Sequence, residues 1–430
     1  MPKLTHSLKN GAYLQSSVTL LLFFASWGIW WSFFQIWLTN DEHGLGLNGA
    51  EVGTVYSVNS LATLAIMFCY GTIQDKLGLK RTLVVIASAA MALVAPFFLV
   101  IYEPLLRSAF FLGVLVGAVF LSLGYMAAAG LLEAVAERMS RTYGFEYGQA
   151  RMWGSFGYAL AALMAGFLFT INPTLNFIGG SLFGIACLLV QLFWRTSSVP
   201  LAAGHSSHPQ TPSLREMAGL LKVPRLWLII VFVLFTWTFY TVYDQQMFPE
   251  FYTSLFETEE RGQQIYGVLN SVQVFVEATM MGVVPILMRK VGVRATLLLG
   301  VSVMCVRILG TAVFDDAVIV SIVKMFHAIE VPLFILAIFR YFTLHFPATL
   351  SATLYMVGFQ ISAQVGNVIL SQPLGALRDS IGYQPTFYVI AATVFAAGVY
   401  AYCTLKRDAQ DVYGDPFVRA SDKTPAGAGA

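Results

Sequence analysis

Long uninterrupted apolar runs limit what this chain can become. A helix that crosses a bilayer needs about 20 consecutive, mostly apolar residues. Twelve segments reach that length: 14–38, 51–74, 81–101, 109–138, 148–171, 174–194, 224–252, 262–288, 294–312, 317–342, 349–377 and 384–405. The expected class is an all-α membrane protein with twelve transmembrane helices. Composition agrees, with 57% hydrophobic and 11% charged residues against about 25% charged in a soluble domain. With a mean hydropathy of +0.70, too few polar groups remain to cover a water-exposed surface. A net charge of +2, with no basic cluster interleaved with aromatics, gives no reason to expect nucleic acid as a partner. Cys69, Cys187, Cys305 and Cys403 all lie in apolar runs and read as buried thiols rather than a disulfide framework. The first apolar run is too long for a signal peptide and reads as a retained span.

Most connections are short, so neighbouring helices run antiparallel. The exception is "RTSSVPLAAGHSSHPQTPSLREMAGLLKV" (195–223), rich in Ser, Pro and His. It divides the chain into an N-terminal six-helix half (1–194), a linker (195–223) and a C-terminal six-helix half (224–407). The tail, 408–430, ends "KTPAGAGA" and is expected to be disordered. Lys and Arg mark the cytoplasmic side. Lys3, Lys9, Lys76, Lys80, Arg81, Arg138, Arg141, Arg289, Lys290, Arg294, Arg340, Lys406 and Arg407 fall on one side with the linker. Only Arg107, Arg261 and Arg378 fall on the other. Both termini and the linker are thus expected in the cytoplasm, which requires an even number of spans.

The two halves carry a repeat. "GTIQDKLGLKRTL" (71–83) leaves the second helix of its half, and "PILMRKVGVRATL" (285–297) leaves the second helix of the other. Duplicated halves place a substrate site near the bilayer midplane, at their interface. The first copy resembles the helix 2–3 signature of the major facilitator superfamily. That resemblance implies that Asp75, Lys76, Lys80 and Arg81 form a gating loop; Arg289 replaces the acid in the second copy.

Eight ionisable side chains fall inside the apolar segments: Glu133, Arg151, Asp244, Glu277, Arg307, Lys324, His327 and Glu330. An ionised group at the bilayer centre costs roughly 2.5–3.5 kcal/mol on insertion scales. One such residue alone is readily explained as glue between helices. Eight of them, four acids against three bases and a histidine, point to a functional site. In "KMFHAIEVP" (324–332), Lys324, His327 and Glu330 stand three residues apart. Steps of three advance about 300° on a helix, so the three spread over roughly 120° of one face. Pro332 follows and is expected to disturb the backbone ladder there.

These segments resemble the oligosaccharide:proton symporters, the lactose permease relatives within the major facilitator superfamily. The resemblance rests on "KMFHAIEVP", "LLEAVAERMS" with "FEYGQARMWGSFGYAL", "YTVYDQQMF" (240–248), "VRILG" (306–310) and "FQIWL" at the end of helix 1. It covers most of the chain. It implies a sugar site built from Glu133, Arg151, Tyr158 and Ser155, with Gln273, Glu277, His327, Trp27 and Gln364 also in reach of substrate. Trp30 is a further aromatic of helix 1 that the resemblance brings towards the sugar. It implies that Glu330 carries the proton, that Arg307 promotes its release, and that His327 links proton and sugar. Asp244 and Lys324 are expected as a structural charge pair.

Departures narrow the resemblance. An acid–lysine pair that joins helices 7 and 11 in lactose permease is replaced here by Thr241 and Ala363. The helix 8 acid is displaced from Val274 to Glu277, and the stacking aromatic is Tyr158. All resemble the sucrose permease branch. The implied function is proton-coupled import of a disaccharide or small oligosaccharide by alternating access, with sucrose first and lactose, melibiose or raffinose as alternatives. The implied setting is a bacterial-type cytoplasmic (inner) membrane, and the implied unit a functional monomer in the lipid bilayer. The proton gradient is the energy source; no cofactor is expected. The absence of a Walker motif disfavours ATP-driven transport, and "HSSH" (205–208) is not read as a metal site. A drug/proton antiporter fits poorly with the Glu133 and Arg151 pair. A non-transporting sugar sensor fits poorly with so short a linker and tail.

Overall fold

The computed structural model describes residues 10–77, 80–194, 219–346, 353–410 and 412–413. Twelve spans emerge when one bent pair is counted as a single crossing. In the first half they are α1 (Gly11–Thr39), α2 (Gly49–Leu77), α3 (Thr82–Ala92 with Val94–Ser108), α4 (Phe110–Tyr143), α5 (Tyr147–Ile171) and α6 (Thr174–Phe193). In the second they are α7 (Pro224–Gln246), α8 (Glu259–Val291), α9 (Val293–Val313), α10 (Ala317–His345), α11 (Thr353–Ile381) and α12 (Tyr383–Thr404). Helix starts follow local chemistry. The Asn10 side-chain carbonyl accepts from the N–H groups of Ala12 and Tyr13, and the Asp316 carboxylate from those of Val318 and Ile319. Gly144, at φ +70°, ends α4 in the left-handed conformation that glycine adopts without a Cβ penalty.

Three irregularities sit where prolines fall. The two pieces of α3 meet at 53°, close to Pro96. The span expected at 224–252 stops at Gln246, and a separate short helix, Phe248–Thr253, starts with Pro249. In α10 the regular helix is interrupted at Met325–Phe326, the turn upstream of Pro332. There the N–H of Phe326 bonds the carbonyl of Val323, and that of Ala328 bonds Met325, three residues back instead of four. Lys324 and His327 therefore flank a tightened turn. In α7 a π-helical stretch, Leu234–Thr238, lies directly before Tyr240 and Asp244 and changes the angle at which they project.

α1 packs against α5 and α6, and α9 against α10 and α12. Across the halves, α2 meets α11 and α5 meets α8. Advancing by six helices turns the first of these pairs into the second, which is the arrangement a duplicated half requires. Many cross-half contacts gather at the end away from the linker. The N–H groups of Gly49 and Ala50, at the start of α2, donate to Asp379 of α11 at 2.7 and 2.8 Å, a carboxylate on a helix N-terminus. Arg378 donates to Glu250 at 3.1 Å, and Gln35 donates to the same carboxylate at 3.1 Å. A Cβ on Gly375 would overlap the carbonyl of Gly49. Gly375→Val is therefore expected to hold this end apart; for the carrier that the resemblance implies, sugar binding by the purified protein would survive and uptake into vesicles would be lost. Normal uptake would show that this contact is not needed for closure.

Arg81 donates to the Trp194 carbonyl at 2.9 Å and to Gln15 at 2.8 Å, tying α3 to α6 and α1. Lys80 is exposed. The side chains of Asp75 and Lys76, and residues 195–218 of the linker, lie outside the described residues. Of the tail expected to be disordered, the first residues are pinned. Asp408 accepts from the N–H groups of Val293 and Arg294 at 2.6 and 3.0 Å, and the N–H of Tyr413 donates to the Leu344 carbonyl at 2.9 Å. A free helix N-terminus on α9 is thereby capped. Residues 411 and 414–430 lie outside the described part.

Candidate functional site

Between the halves lies a cavity of about 290 Å³, just below the roughly 300–1,000 Å³ of small-molecule sites. Both halves line it. α1, α2 and α5 supply Trp31, Ser32, Tyr56, Arg151, Ser155 and Tyr158; α7, α8 and α10 supply Asp244, Asn270, Gln273, Glu277, Lys324 and His327.

On the N-terminal wall the Arg151 guanidinium is held on three sides. Its Nε donates to Glu133 Oε1 at 2.5 Å, one terminal nitrogen donates to Ser155 Oγ at 3.3 Å, and its carbon lies 4.2 Å from the centre of the Phe24 ring. Glu133 orients Arg151 and is not itself among the lining residues. The Tyr158 hydroxyl accepts from Ser32 Oγ at 3.5 Å. A Cβ on Gly28 would stand 3.0 Å from the Tyr158 ring, so glycine there lets α1 approach the ring closely.

On the C-terminal wall the centre is Arg307, fully buried in a span. One terminal nitrogen donates to Glu330 Oε1 at 2.8 Å and to the Tyr240 hydroxyl at 3.1 Å, and the other donates to Asp244. His327 Nδ1 lies 2.5 Å from the Tyr240 hydroxyl and 3.2 Å from the Arg307 nitrogen. Nδ1 also lies 3.3 Å from Asp244 Oδ1, and Nε2 lies 4.0 Å from Glu277. Glu330 has no exposed surface, and its Oε2 has no hydrogen-bond partner among the described residues. A chain of contacts thus runs from the cavity, through His327 and Tyr240, to a carboxylate sealed from water.

The expected pair of Asp244 with Lys324 is not formed. Asp244 bonds Arg307 and lies 3.3 Å from His327 Nδ1, while Lys324 Nζ donates to Gln273 Oε1 at 2.6 Å. The planar guanidinium fork engages Glu330 and Asp244 at once, and the lysine is left with an amide. Three other residues expected near the sugar lie off the cavity lining. Trp27 packs among Phe23, Phe24 and Tyr125 and does not line the cavity; Trp31, four residues on, does. Trp30 is buried, and Gln364 is not among the lining residues. At Thr241 the missing acid–lysine pair is replaced by a neutral bond from its hydroxyl to Asn367 at 3.1 Å, also joining α7 to α11.

Several residues of the site are not marked by the sequence. Tyr240 is uncharged and lies one turn before Asp244 in an apolar segment. Asn270, Gln273 and Glu277 share one face of α8 at helical spacing, and that pattern is the signal that points to Asn270. No group of three or more potential metal ligands occurs among the described residues.

Two six-helix halves around a polar cavity, with buried charges in its wall, define a membrane carrier of the major facilitator type. The solved nucleoside transporter NupG superposes with a TM-score of 0.76 at 16% identity, over 92% of this chain and 99% of that one. A D-xylose-proton symporter superposes with a TM-score of 0.63 at 12% identity, over 93% and 98%. Residues 5–415 match the family described as LacY proton/sugar symporter, and the chain belongs to that family. It is 42% identical to the sucrose permease of Escherichia coli over 90% of this chain and 92% of the relative. It is 35% identical to the raffinose permease of Escherichia coli over 92% and 93%, and 34% identical to the lactose permease of Klebsiella oxytoca over 87% and 90%. The chain is accordingly a transporter, not an enzyme.

Proposed function

We propose that this symporter imports a disaccharide, sucrose before lactose, melibiose or raffinose, with protons across a bacterial-type cytoplasmic (inner) membrane. The observation that carries this reading is the pairing of two walls around one cavity. Arg151 offers hydrogen-bond donors beside the Tyr158 ring on one side, as a sugar's hydroxyls and apolar ring face require. The sealed Arg307–Glu330 pair lies behind His327 on the other. Sucrose is favoured by the relative named for it. With the halves joined at the end opposite the linker, the described state is closed to the outside. The carrier works as a monomer in this reading, since each half contributes one wall.

In the cycle proposed, Glu330 takes a proton and leaves Arg307 to Asp244. The loaded cavity passes to the other side, and return of the guanidinium to Glu330 favours proton release. Uptake of labelled sucrose, lactose, melibiose and raffinose into reconstituted vesicles tests the substrate. Sucrose is expected to give the greatest uptake, and preference for a galactoside would move the assignment. Orientation is tested by a cysteine placed at Ser206 in a cysteine-free chain. Impermeant thiol reagents are expected to reach it from the cytoplasmic face; labelling from outside would invert the topology.

A further inference from the structure

We propose that Lys324 is a ligand for the second ring of the disaccharide, aimed into the cavity by Gln273; this rests on the sugar-carrier reading above. Lys324 is 3% exposed. An ammonium has three donors and no acceptor, and a buried charge calls for a partner. The partner expected from sequence, Asp244, is taken by Arg307 and His327. Among the described residues no carboxylate oxygen lies within 4.0 Å of Lys324 Nζ. What surrounds it is one amide oxygen and the faces of Phe248 and Tyr266, with Nζ 5.3 and 5.2 Å from the ring centres. Aromatic faces attract a cation but leave donors without acceptors in line.

The remaining donors belong with the cavity. Lys324 and Gln273 both line it, on the half opposite Arg151 and Tyr158. A ring held at Arg151 leaves a second ring facing α8 and α10, where hydroxyl oxygens can accept from the ammonium. A structural lysine would be expected on its acid instead.

The test is the affinity of the purified full-length chain for sucrose. Lys324→Met is expected to weaken binding about tenfold or more, the loss of a charge-assisted hydrogen bond. Asp244→Asn added to Lys324→Met is the discriminating variant. A structural pair predicts recovery to the wild-type affinity; a ligand role predicts that binding stays at least as weak. Recovery in the double variant, or wild-type affinity in a folded Lys324→Met, overturns the inference. Should Lys324→Met fail to fold, Gln273→Ala keeps the ammonium and removes its aim. Weaker sucrose binding is then expected, and unchanged affinity again overturns the role. If the unmodified chain binds no sugar, the carrier reading fails. If it binds sucrose and the variants match it, only the role of Lys324 fails.

Discussion

Glu330→Gln is expected to abolish sugar accumulation driven by a pH gradient and to leave exchange of internal for external sugar near the wild-type rate. This is the expected result if Glu330 carries the proton, because glutamine has the shape and neutrality of the protonated acid. Such a carrier binds sugar and crosses the membrane loaded, but has no proton to release. The role is proposed for Glu330 because the carboxylate is fully buried and holds Arg307 through Oε1. Equilibrium exchange never requires the empty, deprotonated carrier to return, so it survives. The paired measurement is active uptake and exchange of one labelled sugar in the same vesicles. If Glu330→Gln still accumulates sugar against a gradient, the proton lies elsewhere, and Glu277, on the cavity wall beside His327, is the next group to change.

Arg151→Lys should lower sugar affinity by about 10- to 100-fold, the loss of one or two charge-assisted hydrogen bonds. The guanidinium holds Glu133 with Nε, Ser155 with a terminal nitrogen, and Phe24 with its face. An ammonium is a point charge and cannot present that fork to a pair of hydroxyls. Glu133→Gln should act through the arginine, since Glu133 orients it and does not line the cavity. The measurement is sugar binding by the purified variants, with an unrelated helix-surface substitution as control. Wild-type affinity in Arg151→Lys would remove this wall from the sugar site.

The membrane makes much of this legible. Because burial in hydrocarbon is costly for every charge, Arg151, Asp244, Arg307 and Glu330 stand out from their neighbours, and all four meet around the cavity or its wall. Neutral residues bear no such penalty, so Asn270 and Tyr240 do not stand out although they lie in the same network. Partner choice is not legible either. One-dimensional spacing cannot say that the Arg307 fork spans two carboxylates and leaves Lys324 on Gln273. Trp27 and Trp31 lie one turn apart on the same helix. Only the packing of Trp27 against Phe23 and Tyr125 decides which of them meets the cavity. Asp408 reads as part of a polar tail because its partner, the N-terminus of α9, is more than a hundred residues away.

The coupling of sugar to protons is tested most directly in reconstituted vesicles with no initial pH gradient and an external electrode. Sucrose added outside should carry protons inward with it. The medium then turns alkaline as labelled sucrose enters, and both signals fall together in Arg151→Lys at a sucrose concentration near the wild-type Kd. Sucrose entry with no change in external pH, or with acidification of the medium, would contradict the account.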